Sequence, residues 1–221
     1  MEYLNAVKLI DCTHTMYDDT FSFMGSQLQV TDFISGEPGG LESYPDYGTA
    51  GGFKKSTFAL GCDVGTHIDS GAHFFPDSNQ AVEYSMQQLT APGAVIDVTE
   101  KVKATADGNY GMTVQDIQDW EAIYGEIRNG SIIIMKTGWG SKIRDGYATY
   151  TGQDPDGKMH FPGFSVESSE WLLANRNFVG LGIDSPSLDV GTSSDFMVHQ
   201  NLLNPNVNKY FLENLNLEGV E

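Results

Sequence analysis

The stretch Gly61-Cys62-Asp63-Val64-Gly65-Thr66-His67-Ile68-Asp69-Ser70-Gly71-Ala72-His73-Phe74 constrains this chain more than any other. It gathers Asp63, His67, Asp69 and His73 within eleven residues and flanks them with Phe58, Leu60, Phe74 and Phe75. Ionisable groups in apolar surroundings are costly to bury unless a cation or a partner charge compensates them. One His beside one Asp is commonly no more than a surface hydrogen bond. Four such groups together favour a metal site, because imidazole and carboxylate suit zinc, manganese or iron and also move protons near neutral pH. All four occupy odd positions, so extended backbone with its period of two projects them to one side, with Gly65 and Gly71 leaving space between. The 63/67 and 69/73 spacings also suit a helix, but two glycines, Thr66 and Ile68 make that the poorer reading.

The 221 residues suit one substantial domain, 1–221, long enough to bury a core without disulfides or a structural metal. The longest apolar runs, 132–135 and 171–174, are far too short to cross a bilayer. The start, Met1-Glu2-Tyr3-Leu4-Asn5-Ala6-Val7-Lys8, lacks the features of a secretory signal, so a cytoplasmic protein is expected. Cys12 and Cys62 have neither CxxC nor zinc-finger spacing and read as buried thiols rather than a disulfide. Thirty acidic against twelve basic residues give a formal charge of -18, which repels polyphosphate and anionic membrane and excludes nucleic acid as the expected partner. A small-molecule substrate remains.

Along the chain, residues 7–12 are apolar enough for a buried strand that delivers Asp11, Thr13 and His14 at its end. Residues 17–52 are rich in Gly, Pro, Asp and Ser and read as a long loop, with Phe21, Phe23, Met24, Phe33, Tyr44 and Tyr47 either walling a substrate or anchoring the loop. Strands are expected at 56–60, 94–98, 131–137, 178–183 and 209–215. Helices are expected at 82–89, at 113–124 with Thr113 and Asp116 as a capping pair, and after Ser165. A polar loop covers 145–159, and its Asp154-Pro155-Asp156-Gly157 lacks the rest of a calcium-loop pattern.

The order of several segments is specific. Asp63-Val64-Gly65-Thr66-His67-Ile68-Asp69-Ser70-Gly71-Ala72-His73 is similar to the motif H-x-G-T-H-x-D-x-P-x-H of the metal-dependent cyclase family, which includes bacterial kynurenine formamidase (arylformamidase) and isatin hydrolase. The likeness continues through Ile10-Asp11-Cys12-Thr13-His14, Lys136-Thr137-Gly138-Trp139, His160-Phe161-Pro162-Gly163 and Gly182-Ile183-Asp184-Ser185-Pro186-Ser187-Leu188-Asp189 to His199 and Glu213. The resemblance implies an α/β (α+β) chain with the swivelling β/β/α fold, a central mixed β-sheet or barrel with flanking helices, and a homo-oligomer, dimer or tetramer. It implies a divalent cofactor, manganese or zinc, with His67 and Asp69 as ligands, His73 as general acid/base, and His199 with Glu213 as distal ligands that complete a second metal position in two-metal members.

Two departures matter: Asp63 stands where the motif has His, and Gly71 where it has Pro. Asp63 can still ligate through oxygen, which makes the site harder and shifts preference towards manganese. Gly71 is expected to loosen the backbone before His73, an effect that either shifts the base slightly or is absorbed by packing. Asp11, Asp184 or Ser185 either orient ligand imidazoles or make ordinary strand-end hydrogen bonds. The expected activity is hydrolysis of a C–N bond in a small aromatic or cyclic amide by water whose pKa a divalent ion lowers. The alternatives are a lactone hydrolase or cyclising enzyme on the same site, or a non-catalytic binding relative with a degraded metal site. A serine hydrolase is disfavoured, since no G-x-S-x-G occurs.

Overall fold

The computed structural model describes residues 10–17, 20–23, 29–34, 37–38 and 55–220. The chain divides into two compact units, one of Met1–His14 with Thr66–Glu221 and one of Thr15–Gly65.

The smaller unit holds a three-stranded antiparallel sheet of β1 (Gln29–Ile34), β2 (Glu37–Pro38) and β3 (Lys55–Ala59), in the order β2-β1-β3. This corrects the reading of 17–52 as loop throughout: Val30, Thr31, Phe33 and Ile34 favour extended backbone locally. Phe21 is buried, and its carbonyl accepts the Gly65 amide at 2.8 Å. Met24, Tyr44 and Tyr47 lie outside the described residues, as do residues 7–9 of the expected first strand; residues 10–12 are not extended into a ladder.

The larger unit is built on a five-stranded mixed sheet of β4 (His67–Asp69), β5 (Gly93–Asp97), β7 (Ser131–Lys136), β9 (Phe178–Ile183) and β10 (Tyr210–Glu213). Its order is β4-β10-β9-β7-β5, parallel from β5 to β10 and antiparallel only between β10 and β4. The run Ser131-Ile132-Ile133-Ile134-Met135 lacks alternation because a central parallel strand is covered on both faces. A two-stranded ladder of β6 (Gly111–Met112) and β8 (Gly163–Phe164) stands beside it.

The helices are α1 (Met86–Leu89), α2 (Thr99–Ala104), α3 (Val114–Tyr124), α4 (Tyr147–Tyr150), α5 (Val166–Asn175) and α6 (Met197–Leu203). Thr113 and Asp116 form the expected capping box on α3, and the Ser165 side chain caps α5 by accepting the Ser168 amide. α3 packs on β5 and α5, and α5 on α6, over a core that includes Ile117, Ile133, Leu172, Leu181 and Leu202. No helix among the described residues is long and apolar enough to cross a membrane.

Two local expectations change. The 82–89 helix is a 3-10 turn, Ala81–Glu83, followed by the single-turn α1. The thiols are not buried: Cys12 is half-buried and Cys62 exposed.

Extended backbone holds for His67 and Asp69 but gives way to a 3-10 turn over Gly71–His73. Gly71 does not act there by loosening the chain. It is buried, its amide donates to Tyr84 Oη at 3.2 Å, and a Cβ at this position would stand 2.0 Å from Ser78 Oγ and 2.9 Å from the Leu203 carbonyl oxygen. Ser78 Oγ in turn donates to that carbonyl at 3.0 Å. Gly71→Ala is therefore expected to cost about 1–3 kcal/mol through overpacking, and Gly71→Pro more because it also removes the amide donor. Denaturant unfolding of the two variants checks both the loss and its order.

Candidate functional site

The pairing of β4 with β10 assembles the site. Glu213 sits directly opposite His67, and Phe211 opposite Asp69. With a period of two, all four side chains share one face of the ladder. The opposite face carries Ile68 and Leu212, which join Tyr84, Ile132 and Tyr210 in an apolar cluster. One strand pair thus separates a polar centre from hydrophobic packing.

His67, Asp69 and Glu213 offer ligand atoms that all lie within 4.8 Å of one another. His67 Nε2 is 3.5 Å from Asp69 Oδ1 and 3.6 Å from Glu213 Oε2. His199 enters from α6, its Nε2 3.7 Å from Asp69 Oδ2 and 3.4 Å from Glu213 Oε1. Each carboxylate therefore shows one oxygen to each imidazole. All four side chains are at most 7% exposed, whereas that of His73 is 40% exposed with its Nε2 3.6 Å from Asp69 Oδ2.

This donor set fits a divalent cation. Ligands about 2.0–2.2 Å from a tetrahedral ion stand roughly 3.3–3.6 Å apart, close to the separations of His67 from Asp69 Oδ1 and Glu213 Oε2, while His199 faces the other oxygen of each carboxylate. Imidazole and carboxylate without thiolate suit zinc or manganese. Asp63 belongs to the smaller unit, where Ser22 Oγ donates to its Oδ2 at 2.9 Å.

The group that holds His199 was not singled out in the sequence. His199 Nδ1 donates to Asp189 Oδ2 at 2.6 Å, and the same carboxylate accepts the amides of His199 at 3.1 Å and Val198 at 3.0 Å. A carboxylate only accepts, so Nδ1 carries the proton and Nε2 is turned towards Asp69 and Glu213. Glu213 Oε1 is fixed by the Leu188 amide at 2.9 Å. Asn214 approaches His67 Nδ1 at 3.5 Å and accepts the Tyr150 hydroxyl at 2.7 Å. Asp189 closes the Gly182–Asp189 motif, ten residues before His199, so an acidic residue ahead of a helix carrying a candidate ligand was the available signal.

The residues weighed for that orienting role do other work. Asp11 accepts the Thr13 amide. Asp184 accepts Thr137 and Gly138, with burial raising its pKa against those bonds. Ser185 Oγ donates to the Pro162 and Ser187 carbonyls. His14 donates its amide to Thr66 Oγ1, and lines a cavity of about 780 Å³ with Lys136 and Asp184 that none of the four clustered residues lines. In the Asp154–Gly157 turn, Asp154 accepts the Asp156 and Lys158 amides.

The charges depend on one another. Burial would raise the Asp69 carboxyl, but hydrogen bonds from His199 and His67 outweigh it and hold its pKa well below the usual 3.8. Burial would lower His199, yet the hydrogen bonds to Asp189, Asp69 and Glu213 push it well above the usual 6.5.

A family model described as "Putative cyclase" matches residues 10–190. The isatin hydrolase of Roseibium aggregatum is 29% identical over 192 residues, covering 84% of this chain and 69% of that protein. The structure of isatin hydrolase A from Ralstonia solanacearum aligns with a TM-score of 0.81 at 25% identity, over 100% of this chain and 84% of that one. Isatin hydrolase A from Labrenzia aggregata, bound to benzyl benzoate, aligns with a TM-score of 0.83 at 23% identity, over 99% and 85%.

The two displaced pKa values set opposite pH limits on the metal-free protein. The raised His199 contributes stability fully below 6.5, which is lost as pH rises through its folded value; the depressed Asp69 contributes above 3.8 and loses its share as pH falls through its own. Thermal melts of chelator-treated protein are expected to decline on the alkaline side, and the decline is expected to shrink in His199→Gln.

Proposed function

The chain belongs to the cyclase family, and on that premise we propose that it is a metal-dependent hydrolase opening a C–N bond of a small aromatic or cyclic amide. The observation that carries this reading is the group of His67, Asp69 and Glu213, whose ligand atoms lie within 4.8 Å of one another, with His199 on the other oxygen of both carboxylates and the more open His73 3.6 Å from Asp69 Oδ2. A relative that is an isatin hydrolase supports the cyclic-amide class.

In this reading His67, Asp69, His199 and Glu213 hold the ion, and the ligand role of Asp63 rests on its motif position alone. The oxygen-rich set favours manganese, with zinc as the second candidate. A divalent ion held there supplies a lowered water pKa and polarisation of a carbonyl oxygen.

The protein groups do the rest. His73, open to the outside and with its Nε2 3.6 Å from Asp69 Oδ2, takes the proton of the attacking water at Nε2 beside that carboxylate and returns it to the departing nitrogen. Asp189 keeps the His199 proton on Nδ1, so that Nε2 presents its lone pair. The Leu188 amide keeps Glu213 from turning away. Lactone hydrolysis or cyclisation needs the same groups, and a binding relative needs only the ligands.

Protein purified without chelator is expected to contain about one ion or more per chain and to hydrolyse isatin or N-formylkynurenine ahead of simple lactones. A metal content near zero that manganese or zinc does not restore makes it a binding relative instead. His73→Ala is expected to keep the metal and lose about 10²–10⁴ in kcat, while His67→Ala loses both. Equal metal loss in the two variants removes the role given to His73. Asp189→Asn is expected to weaken metal binding by about 10–100-fold in a calorimetric titration.

A further inference from the structure

Phe196, the residue that opens α6, has φ 53° and ψ 45°. This left-handed conformation is a genuine outlier for a bulky side chain. The other non-glycine residues with positive φ among the described ones are Asn208 and Asn214, a type that tolerates it. The backbone is pinned there: the Phe196 amide donates to Ser193 Oγ at 3.1 Å, and its carbonyl accepts the Gln200 amide at 2.9 Å. Glycine or asparagine would fit this backbone with less strain, so what position 196 keeps is the ring.

That ring is only half-buried, and among the described residues it meets two aromatic rings at the site. Its centroid lies 6.0 Å from Phe74 and 6.1 Å from His199, edge-on to both. Phe74 stacks at 4.9 Å on His199 and lies 5.3 Å from His73. An aromatic wall therefore runs from the enclosed His199 through Phe74 to the open His73, with Phe196 set edge-on against its His199 and Phe74 members. Strain retained beside a reactive centre points to a function of the strained residue.

We propose that Phe196 is a specificity residue whose ring, held out by the left-handed backbone, makes edge-to-face contact with the aromatic ring of the substrate or its carboxylate product. The proposal rests on the hydrolase reading for its ligand class, but its test needs no turnover. The probes are benzoate and acetate, titrated by calorimetry into protein loaded with manganese. Wild type is expected to bind benzoate the more tightly. Phe196→Asn is expected to lose about tenfold in benzoate affinity, the size of one aromatic contact, with acetate unchanged and the thermal midpoint unchanged or raised. Phe196→Leu, which keeps the bulk, is expected to lose benzoate preference as well. A preference for benzoate that survives both substitutions overturns the proposal, as does a parallel loss of both probes, a wild type that does not distinguish them, or a lowered midpoint with preference intact. Benzoate preference that depends on position 196 in a protein without hydrolytic activity leaves this inference standing and removes the hydrolase reading alone.

Discussion

The antiparallel pairing of β4 with β10 is the constraint on which the rest depends. It is the one antiparallel joint in an otherwise parallel sheet, and it sets Glu213 against His67 across a ladder that buries both. Two carboxylates brought this close repel each other and lose their hydration, a situation that survives only when positive charge lies between them. The imidazoles of His67 and His199 supply that charge when protonated, and a cation supplies it when they are not. Protons and metal thus compete for the same enclosed space, and without metal the carboxylate and imidazole hold each other ionised, so the Asp69 pKa falls and the His199 pKa rises.

Much of the fold was legible because its strongest elements announce themselves locally. The unbroken Ile132-Ile133-Ile134-Met135 run, the Thr113/Asp116 cap and the Ser165 cap depend on neighbours in sequence, and each stands where the residues place it. Of the smaller unit's sheet, β3 was expected, but β1 and β2 were missed because their stretch is crowded with Gly, Pro and Asp, and pairing over more than twenty residues, as in Gln29 with Ala59, leaves no local trace. The 3-10 turn at Gly71–His73 was missed for a related reason. Its glycine answers to Ser78 and Leu203, and the second of these is remote in the chain.

The site was legible to the same depth. Side-chain chemistry and spacing found His67, Asp69 and His73, since imidazole and carboxylate are rare enough in apolar surroundings to stand out, and the family resemblance supplied His199 and Glu213. What holds those residues was not legible. Asp189 and Asn214 reach the imidazoles only once the chain is folded, and the Leu188 amide that fixes Glu213 has no signature in sequence at all. Asp184, a more conspicuous acid at a strand end, turned out to tie Thr137 and Gly138 together instead.

Tyr84 carries a consequence of its own. One phenol oxygen accepts the Gly71 amide, at the start of the turn bearing His73, and donates to the Lys209 carbonyl, just ahead of the strand bearing Glu213. It is a clasp between the two arms of the reactive centre, yet it lies in no motif and touches none of the reacting groups. The spacing of those arms is accordingly open to adjustment from a distance, and divergence among related chains can retune their rates by altering this buckle while every ligand stays in place.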